Sequence, residues 1–252
     1  MASKELSLQG GIKISMTTEA KKQPELEELV EFTTEIKPEL IDACKDSGAQ
    51  TDEAKAIYMT SRRIAEEVVG DNSPEGRIRM RCMISTGDPQ VADIMRFNNN
   101  PVDAGVEAIR NGAPIFVDIN MVKAGITRKG HNCPIICVLD EDKDAEVAHK
   151  YGITRTAAGF LMARDRLEGS IVAIGNAPSA ALAVCRMIEH GIRPALIVGT
   201  PVGFVNAAES KEEIRKLDVP SVTCEGTRGG TPIAVASVNE IIAIANEKEL
   251  CD

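Results

Sequence analysis

From Pro101 onward, short apolar runs alternate with segments that have the spacing of amphipathic helices. The runs are apolar at consecutive positions, so both faces of each strand are predicted to be buried. Strands of this kind separated by helices are typical of an α/β fold, a mainly parallel sheet with helices on both faces, joined by right-handed crossovers. The candidate strands are PIFVDI, PIICVL, SIVAIG, PALIVG and PSVTCE, and the candidate helices lie near 101–111, 142–150, 155–167, 177–190, 206–216 and 231–247.

The part of the chain before Pro101 is predicted to be helical. Residues 51–69 start with a capping-type threonine and an acidic first turn, which is typical of a helix start. Ser73 with Pro74, and Asp88 with Pro89, begin two further helices, the second running through GDPQVADIMRF. Residues 24–47 also have helical apolar spacing. We predict an N-terminal amphipathic helical extension over 1–52 and an α/β domain over 53–252.

The charge balance disfavours some classes of partner. The chain has 29 Lys and Arg against 38 Asp and Glu, a net charge of -9, which argues against non-specific binding to nucleic acid or to an anionic membrane. The start of the chain lacks the apolar core of a signal peptide, and no apolar run approaches the ~20 residues that span a bilayer. Seven cysteines, mostly in apolar runs, are typical of reduced thiols. We therefore expect a cytoplasmic protein.

The cysteines and histidines do not predict a metal site. Cys133 and Cys137 lie on one face of a predicted strand, with His131 as the nearby third ligand, whereas a structural metal site takes about four ligands. His149 and His190 are predicted near helix ends, as surface or C-cap residues.

Four loops follow predicted strands at the edge where open parallel sheets bind ligands. They read GNAPSA, GTPVGFVNAAESK, EGTRGGTP and DINMVKAGITR. None of them is a G-x-G-x-x-G or G-x-x-x-x-G-K-[ST] motif, so binding of a nicotinamide or a nucleoside triphosphate has little support. Main-chain amides, helix starts and a few arginines, such as Arg228 beside Gly229 and Gly230, together predict a wide cleft for a ligand with many carboxylates.

In their order, these segments resemble the precorrin-8X methylmutase family, called cobalt-precorrin-8 methylmutase in the anaerobic route to cobalamin. The resemblance rests on GNAPSA, PALIVGTPVGFVNAAESKEEI and VPSVTCEGTRGGTPIAVASVNEII, with GAPIFVDINMVKAGITR and GITRTAAGF upstream. It covers about residues 53–247, and PVGFVNAAESK is a specific segment. Residues 1–52 exceed the usual family length.

The resemblance implies an isomerase. Members of the family move a methyl group from C-11 to C-12 of a corrin precursor without an organic cofactor, and they are homodimers with a deep tetrapyrrole cleft. A histidine is thought to protonate the macrocycle, which requires an imidazole within reach of the ring and a pKa near the working pH. The implied partner is precorrin-8X or cobalt-precorrin-8, and neither nucleic acid nor a membrane is expected.

In this chain, Ile84 stands at the family's histidine position. The family pattern R-[MVI]-I-H-[AT]-[ST]-G aligns with Arg81–Gly87, and an alignment shifted by one would place Ser85 there instead. Isoleucine can neither donate nor accept a proton. Catalysis therefore requires Ser85, Cys82 or a residue from elsewhere to replace the imidazole.

Other positions follow or depart from the family pattern. Thr127 is implied to donate a hydrogen bond to the ligand, or else bonds its own backbone; Arg155 is implied to hold an acetate or propionate, or else pairs with a surface acid. In the helix predicted over 51–69, the chain has Thr60, Ser61 and Arg62 where the family tends to have Arg-Ser-Phe. The candidate catalytic positions are Ile84, Ser85, Thr127 and Arg155, and the candidate substrate-binding residues are Ser61, Arg128, Asn176, Ser179, Gly203, Glu209, Ser210, Arg228, Gly229 and Gly230.

Three functions stay open at this point. The chain is an isomerase with rearranged proton chemistry, a carrier, store or sensor that keeps the tetrapyrrole cleft without catalysis, or a binder of another multi-anionic metabolite. The fold does not decide among them, because function lies in the site and the site is where this chain departs. The isomerase of cobalamin biosynthesis is the reading we favour.

Overall fold

The computed structural model describes residues 52–140 and 143–247, with side chains from residue 56 onward. Contacts group Ala56–Asp252 into one compact unit, and the features below belong to it. The helix expected over 24–47 lies outside the described residues, and the domain boundary at 52 stays a prediction.

Six strands form one sheet in the described region. They are β1 (Met95–Asn98), β2 (Ile115–Val117), β3 (Ile135–Cys137), β4 (Ile171–Ile174), β5 (Leu196–Gly199) and β6 (Ser221–Cys224). Their spatial order is β1-β6-β5-β4-β2-β3. β1 runs antiparallel to β6, and the other neighbours are parallel, with Ile115 opposite both Ile135 and Ile171. The mainly parallel sheet and the strands predicted after Pro101 are therefore confirmed.

Helices cover both faces of this sheet. They are α1 (Asp52–Val69), α2 (Pro74–Thr86), α3 (Gln90–Ile94), α4 (Pro101–Arg110), α5 (Asn120–Gly125), α6 (Asp144–Tyr151), α7 (Arg155–Ala163), α8 (Pro178–Glu189), α9 (Ala207–Lys216) and α10 (Thr231–Glu247). Alternate strand residues feed two cores: Ile171 and Ala173 pack with α2, α4 and α10, whereas Val172 and Ile174 pack with α7, α8 and α9. The sheet is thus apolar on both faces because each face carries its own helical layer.

The segment expected to be one helix, GDPQVADIMRF, is a short helix followed by a strand. α3 ends at Ile94, and Met95 begins the pairing with β6, opposite Cys224. Arg79 of α2 holds the segment by donating to the carbonyl oxygens of Ala92 at 2.6 Å and Met95 at 3.2 Å. Pairing at the sheet edge overrides the local helical preference, so this part of the prediction is wrong.

The helix start predicted at Ser73 is confirmed. Its Oγ accepts a hydrogen bond from the amide of Gly76 at 3.1 Å, with Pro74 at the first helical position. At the other end of α2, Gly87 adopts φ 65°, and its amide donates to the carbonyl of Met83. These caps fix the α2 register that decides which side chains face outward. No described helix is long and apolar enough to cross a membrane.

Candidate functional site

The sheet has a topological switch point between β2 and β4, where ligands of open α/β sheets bind. In this protein the crevice is filled by Asp118, which directly follows β2. Its carboxylate accepts hydrogen bonds from the amides of Gly175, Asn176 and Ala177 at 3.2, 2.8 and 2.9 Å. Burial raises the pKa of the Asp118 carboxyl, and the three amides oppose that shift. The expectation that these amides receive ligand carboxylates is therefore wrong.

The two neighbouring loops close on each other. The amide of Gly230 donates to the carbonyl of Thr200 at 2.7 Å, and that of Gly203 donates to the carbonyl of Thr227 at 3.1 Å. A side chain at Gly229 would collide with the carbonyl oxygen of Thr200. We predicted a wide cleft lined by the amides of Gly203, Gly229 and Gly230. That prediction is wrong for Gly203 and Gly230, whose amides donate to carbonyls of the protein itself.

The arginines predicted at this edge are paired with acids of the chain. Arg228 lies 3.1 Å from Asp88 and donates to Gln90 at 2.8 Å. Arg155 donates to both carboxylate oxygens of Asp144, at 2.9 and 3.1 Å. Asp144 is buried, whereas the Arg155 side chain is 58% exposed. Arg155 therefore pairs with an acid of the chain, as the second of its two predicted roles required, but that acid is buried and does not lie on the surface.

The polar residues predicted beside them differ in exposure. The hydroxyls of Ser179 and Thr154 lie 2.7 Å apart. Ser210 is buried and donates to a main-chain carbonyl within α9. Asn176 and Glu209 are exposed to solvent. A ligand on this edge would therefore contact Asn176 and Glu209 directly, whereas the buried Ser210 side chain is out of its reach.

A cavity of about 280 Å³ lies away from this edge, among α1, α2 and α10. It is lined by Tyr58, Arg62, Arg77, Met80, Arg81, Ile84, Ser85, Pro232, Val235, Ala236, Asn239 and Glu240. Two candidate catalytic positions, Ile84 and Ser85, thus face the same space. Ser61 of α1 does not line this cavity.

The floor of this cavity is one face of α10. Val235, Asn239, Ala243 and Asn246 are partly exposed, and the residues between them are buried. Their spacing of three or four residues places them along one stripe of the helix. α10 therefore packs into the core on its other sides and presents a single stripe outward, on which Val235 and Ala243 alternate with two asparagines.

An ion-pair cluster lies at one side of the cavity. The buried Glu240 carboxylate lies 2.7 Å from Arg77 and 2.9 Å from Arg81, and Arg77 also contacts Glu247. The hydrogen bonds that Arg77 donates to Glu247, together with the charge of Glu240, raise the pKa of the Arg77 guanidinium. Arg81 remains 39% exposed, so it presents positive charge to the cavity while Glu240 fixes its position.

Cys82 lies beneath the cavity and does not reach it. Its side chain is fully buried, with Sγ 3.7 Å from the carbonyl of Ile233 and 3.4 Å from Oγ of Ser237. Burial raises the pKa of the Cys82 thiol to about 12. Cys82 therefore does not replace the missing imidazole as a proton donor to a bound ligand.

Cys82 is expected to resist alkylation in the folded protein. At pH 8, iodoacetamide needs a thiolate, and a pKa of about 12 leaves that form scarce as well as buried. Peptide mass spectrometry should find Cys82 unmodified in native protein and modified after denaturation. Equal labelling in both samples would show that Cys82 is accessible from the cavity.

A second, more polar cavity of about 730 Å³ lies at the far end of the same α10 stripe. Its lining includes Arg110, Arg128, His131 and Asn246. His131 donates through Nε2 to the carbonyl of Thr127 at 2.7 Å and accepts through Nδ1 from the amide of Cys133 at 3.1 Å. Both ring nitrogens of His131 are therefore occupied by main-chain groups of its own loop.

Arg128 lines the second cavity together with Asn111 and Gly112, which precede β2. Thr127 and Arg128 therefore lie away from the carboxyl ends of the strands, and the expectation of four loops on one edge is wrong for this part. The Thr127 amide donates to Oδ1 of Asn239 at 2.9 Å, and its hydroxyl accepts from the amide of Lys129 at 3.2 Å. Thr127 thus contacts α10 between the two cavities, while Arg128 lines the second.

The structure therefore brings together a different set of residues from the one expected. Sequence reasoning missed Tyr58, Arg77, Arg81, Asn239 and Glu240, which line the first cavity. One signal was present: Asn239 and Glu240 interrupt an otherwise apolar helix, and a buried acid requires a partner. The remaining candidates at the strand ends line neither cavity.

Comparisons with known proteins agree on one family. The family model described as precorrin-8X methylmutase matches residues 56–244. The chain is 45% identical to the cobalt-precorrin-8 methylmutase of Methanocaldococcus jannaschii over 213 residues, covering 80% of this chain and 99% of that protein. It is 38% identical to the precorrin-8X methylmutase of Pseudomonas aeruginosa, covering 78% and 97%. The crystal structure of precorrin-8X methylmutase from Thermus thermophilus superposes with a TM-score of 0.71 at 32% identity, covering 77% and 98%.

Proposed function

The chain belongs to the precorrin-8X methylmutase family, and from this premise we propose that it isomerises precorrin-8X or cobalt-precorrin-8 by moving a methyl group from C-11 to C-12. It is an isomerase of cobalamin biosynthesis. The observation that carries this function is the family match over residues 56–244, joined by relatives that carry the same enzyme name. The carrier reading is not favoured, because these relatives are named as methylmutases.

We propose that the macrocycle binds along the outward stripe of α10. From Pro232 to Asn246 a helix rises about 21 Å, and a cavity lies at each end of that stretch. Val235 and Ala243 give the stripe apolar surface on which the flat ring can pack, and arginines lie at both ends, which suits its acidic side chains. This arrangement supports binding along α10.

Arg128 and Arg81 are the cations that we assign to ligand carboxylates. Arg128 has no partner among the described residues and is exposed beside the second cavity. Arg81 is oriented by Glu240 toward the first cavity. In a protein with a net charge of -9, such local positive groups are needed to hold a polyanion.

The strand-end residues and the homodimer form a further part of the proposal. Asn176, Ser179 and Arg155 lie outside both cavities, so a second copy is needed for them to meet a ligand on α10. Exposed apolar side chains support such an association, since Phe204 is 96% and Met59 62% exposed. A cytoplasmic location is likewise proposed, supported by buried free cysteines among the described residues.

The proposed activity is tested by anaerobic incubation of the purified chain with precorrin-8X, and separately with cobalt-precorrin-8, while the visible spectrum is followed. Conversion to the hydrogenobyrinate chromophore, or to its cobalt form, is expected. Substrate in buffer alone controls for spontaneous change. Tight binding without conversion would contradict the isomerase and favour a carrier.

A further inference from the structure

The first cavity contains few groups with a proton to give. Among the described residues that line it, the side chains with a dissociable proton are two hydroxyls, on Tyr58 and Ser85, and three guanidinium groups, on Arg62, Arg77 and Arg81. A guanidinium keeps its proton throughout the working pH range. The choice therefore lies between the two hydroxyls.

The Ser85 hydroxyl is already engaged. Its Oγ donates to the carbonyl oxygen of Cys82 at 2.9 Å and lies 3.4 Å from that of Pro232. Both acceptors are main-chain groups, so the proton points into α2 or toward α10 and away from a ligand. Glu240 offers no alternative, because its two oxygens accept from Arg77 and Arg81.

The Tyr58 hydroxyl is not engaged. The side chain is 52% exposed on α1, lines the cavity together with Ile84, and has no hydrogen-bond partner among the described residues. Arg62 follows one helical turn later and lines the same cavity, so the two side chains lie on one face of α1. Nε of Arg62 donates to Oε1 of Glu66 at 3.4 Å, so a cation with its counter-ion lies on the same side of α1 as Tyr58.

We propose that Tyr58 is the catalytic proton donor of this enzyme, in the role that an isoleucine at position 84 cannot perform. This inference rests on the proposed function. The phenol O–H bond breaks and its proton adds to the macrocycle, and the methyl group migrates with its bonding electron pair. The macrocycle then releases one proton, which returns to the phenolate, so composition and charge are unchanged over the isomerisation.

Replacement of Tyr58 by phenylalanine tests this role. The Tyr58→Phe variant keeps the ring and removes the proton, so turnover should fall by about 100-fold or more. Affinity for the substrate should change by less than about tenfold, the most that one neutral hydrogen bond contributes. The chain offers a matched control, since its second tyrosine, Tyr151, is 64% exposed on α6. Tyr151→Phe should leave turnover unchanged.

A second variant separates proton donation from packing. In Tyr58→Phe/Ile84→His an imidazole returns to the cavity, and turnover should recover above that of Tyr58→Phe. The recovered rate should fall as pH rises past about 6.5, where an ordinary imidazole loses its proton. The unaltered enzyme should keep its rate there, because no imidazole is among the described residues that line its first cavity.

The outcomes distinguish this inference from the function on which it rests. If the unaltered chain converts substrate and Tyr58→Phe turns over as fast as Tyr151→Phe, Tyr58 is not the donor and the isomerase stands. If Tyr58→Phe loses melting temperature and affinity together, Tyr58 has a structural role and the assignment also fails. If the unaltered chain converts neither substrate, the proposed function fails, and the donor with it.

Discussion

Replacement of Asp118 by alanine is expected to lower the free energy of unfolding by about 4 kcal/mol, because three main-chain amides lose their acceptor at 1–3 kcal/mol each for a buried group. The amides belong to Gly175, Asn176 and Ala177, and the carboxylate is fully buried. For a domain of this size the melting temperature should fall by about 8 to 16 °C. Thermal and urea denaturation of the two proteins measure the difference.

Asp140 provides the matched control for this substitution. It lies three residues after β3, whereas Asp118 directly follows β2, and it is 46% exposed and pairs with Lys123 at 2.6 Å. Asp140→Ala should therefore cost about 1 kcal/mol or less. If Asp118→Ala and Asp140→Ala lowered the free energy of unfolding by the same amount, water would be able to hydrogen-bond the three amides. The crevice between β2 and β4 would then be open to solvent.

Replacement of Glu240 by alanine is the second large change, with an expected loss of about 3 kcal/mol of unfolding free energy, the lower end for breaking a buried ion pair. The lower end applies because Arg77 retains Glu247 and Arg81 is 39% exposed. Turnover should fall as well, since Arg81 loses the group that orients it toward the first cavity. Urea denaturation and the spectral assay measure the two effects.

Glu247 is the control within the same cluster. It is 56% exposed, so Glu247→Ala should have a small effect on stability. A combined replacement of Arg77, Arg81 and Glu240 by apolar residues should regain much of the stability lost in Glu240→Ala, because no buried charge is then left unpaired; Glu247 loses Arg77 but is 56% exposed. If Glu240→Ala and Glu247→Ala lowered the free energy of unfolding equally, the claim that the buried position of Glu240 makes its ion pairs important for stability would be wrong.

Most strands of the sheet could be predicted from the sequence, because the residue pattern that identifies each of them lies within the strand and its flanking turns. Runs such as SIVAIG are apolar on both faces and bounded by glycine and turn residues, and each became a parallel strand. β1 could not be read in this way. Met95–Asn98 follows a helix without a break, and only its pairing with the distant β6 makes it a strand.

The candidate site was predicted less well than the fold, because its polar groups are satisfied by residues far away in sequence. The glycine-bearing loops suggested free amides, yet Asp118 binds the amides of GNAPSA from 57 or more positions away. The cavity on α10 is built from α1, α2 and the last helix, which no local motif connects. The resemblance to a family identified Ile84 as the position to question, and Ile84 is 36% exposed and lines the first cavity.

The burial of α10 also determines how this enzyme should respond to heat. The helix that forms the floor of the cavity is at the same time a central element of one core, in contact with residues of β4, β5 and α4. It cannot fray or tilt on its own, as an active-site loop does, without exposing those neighbours. Thermal inactivation should therefore coincide with global denaturation, and the binding surface should persist intact up to that temperature.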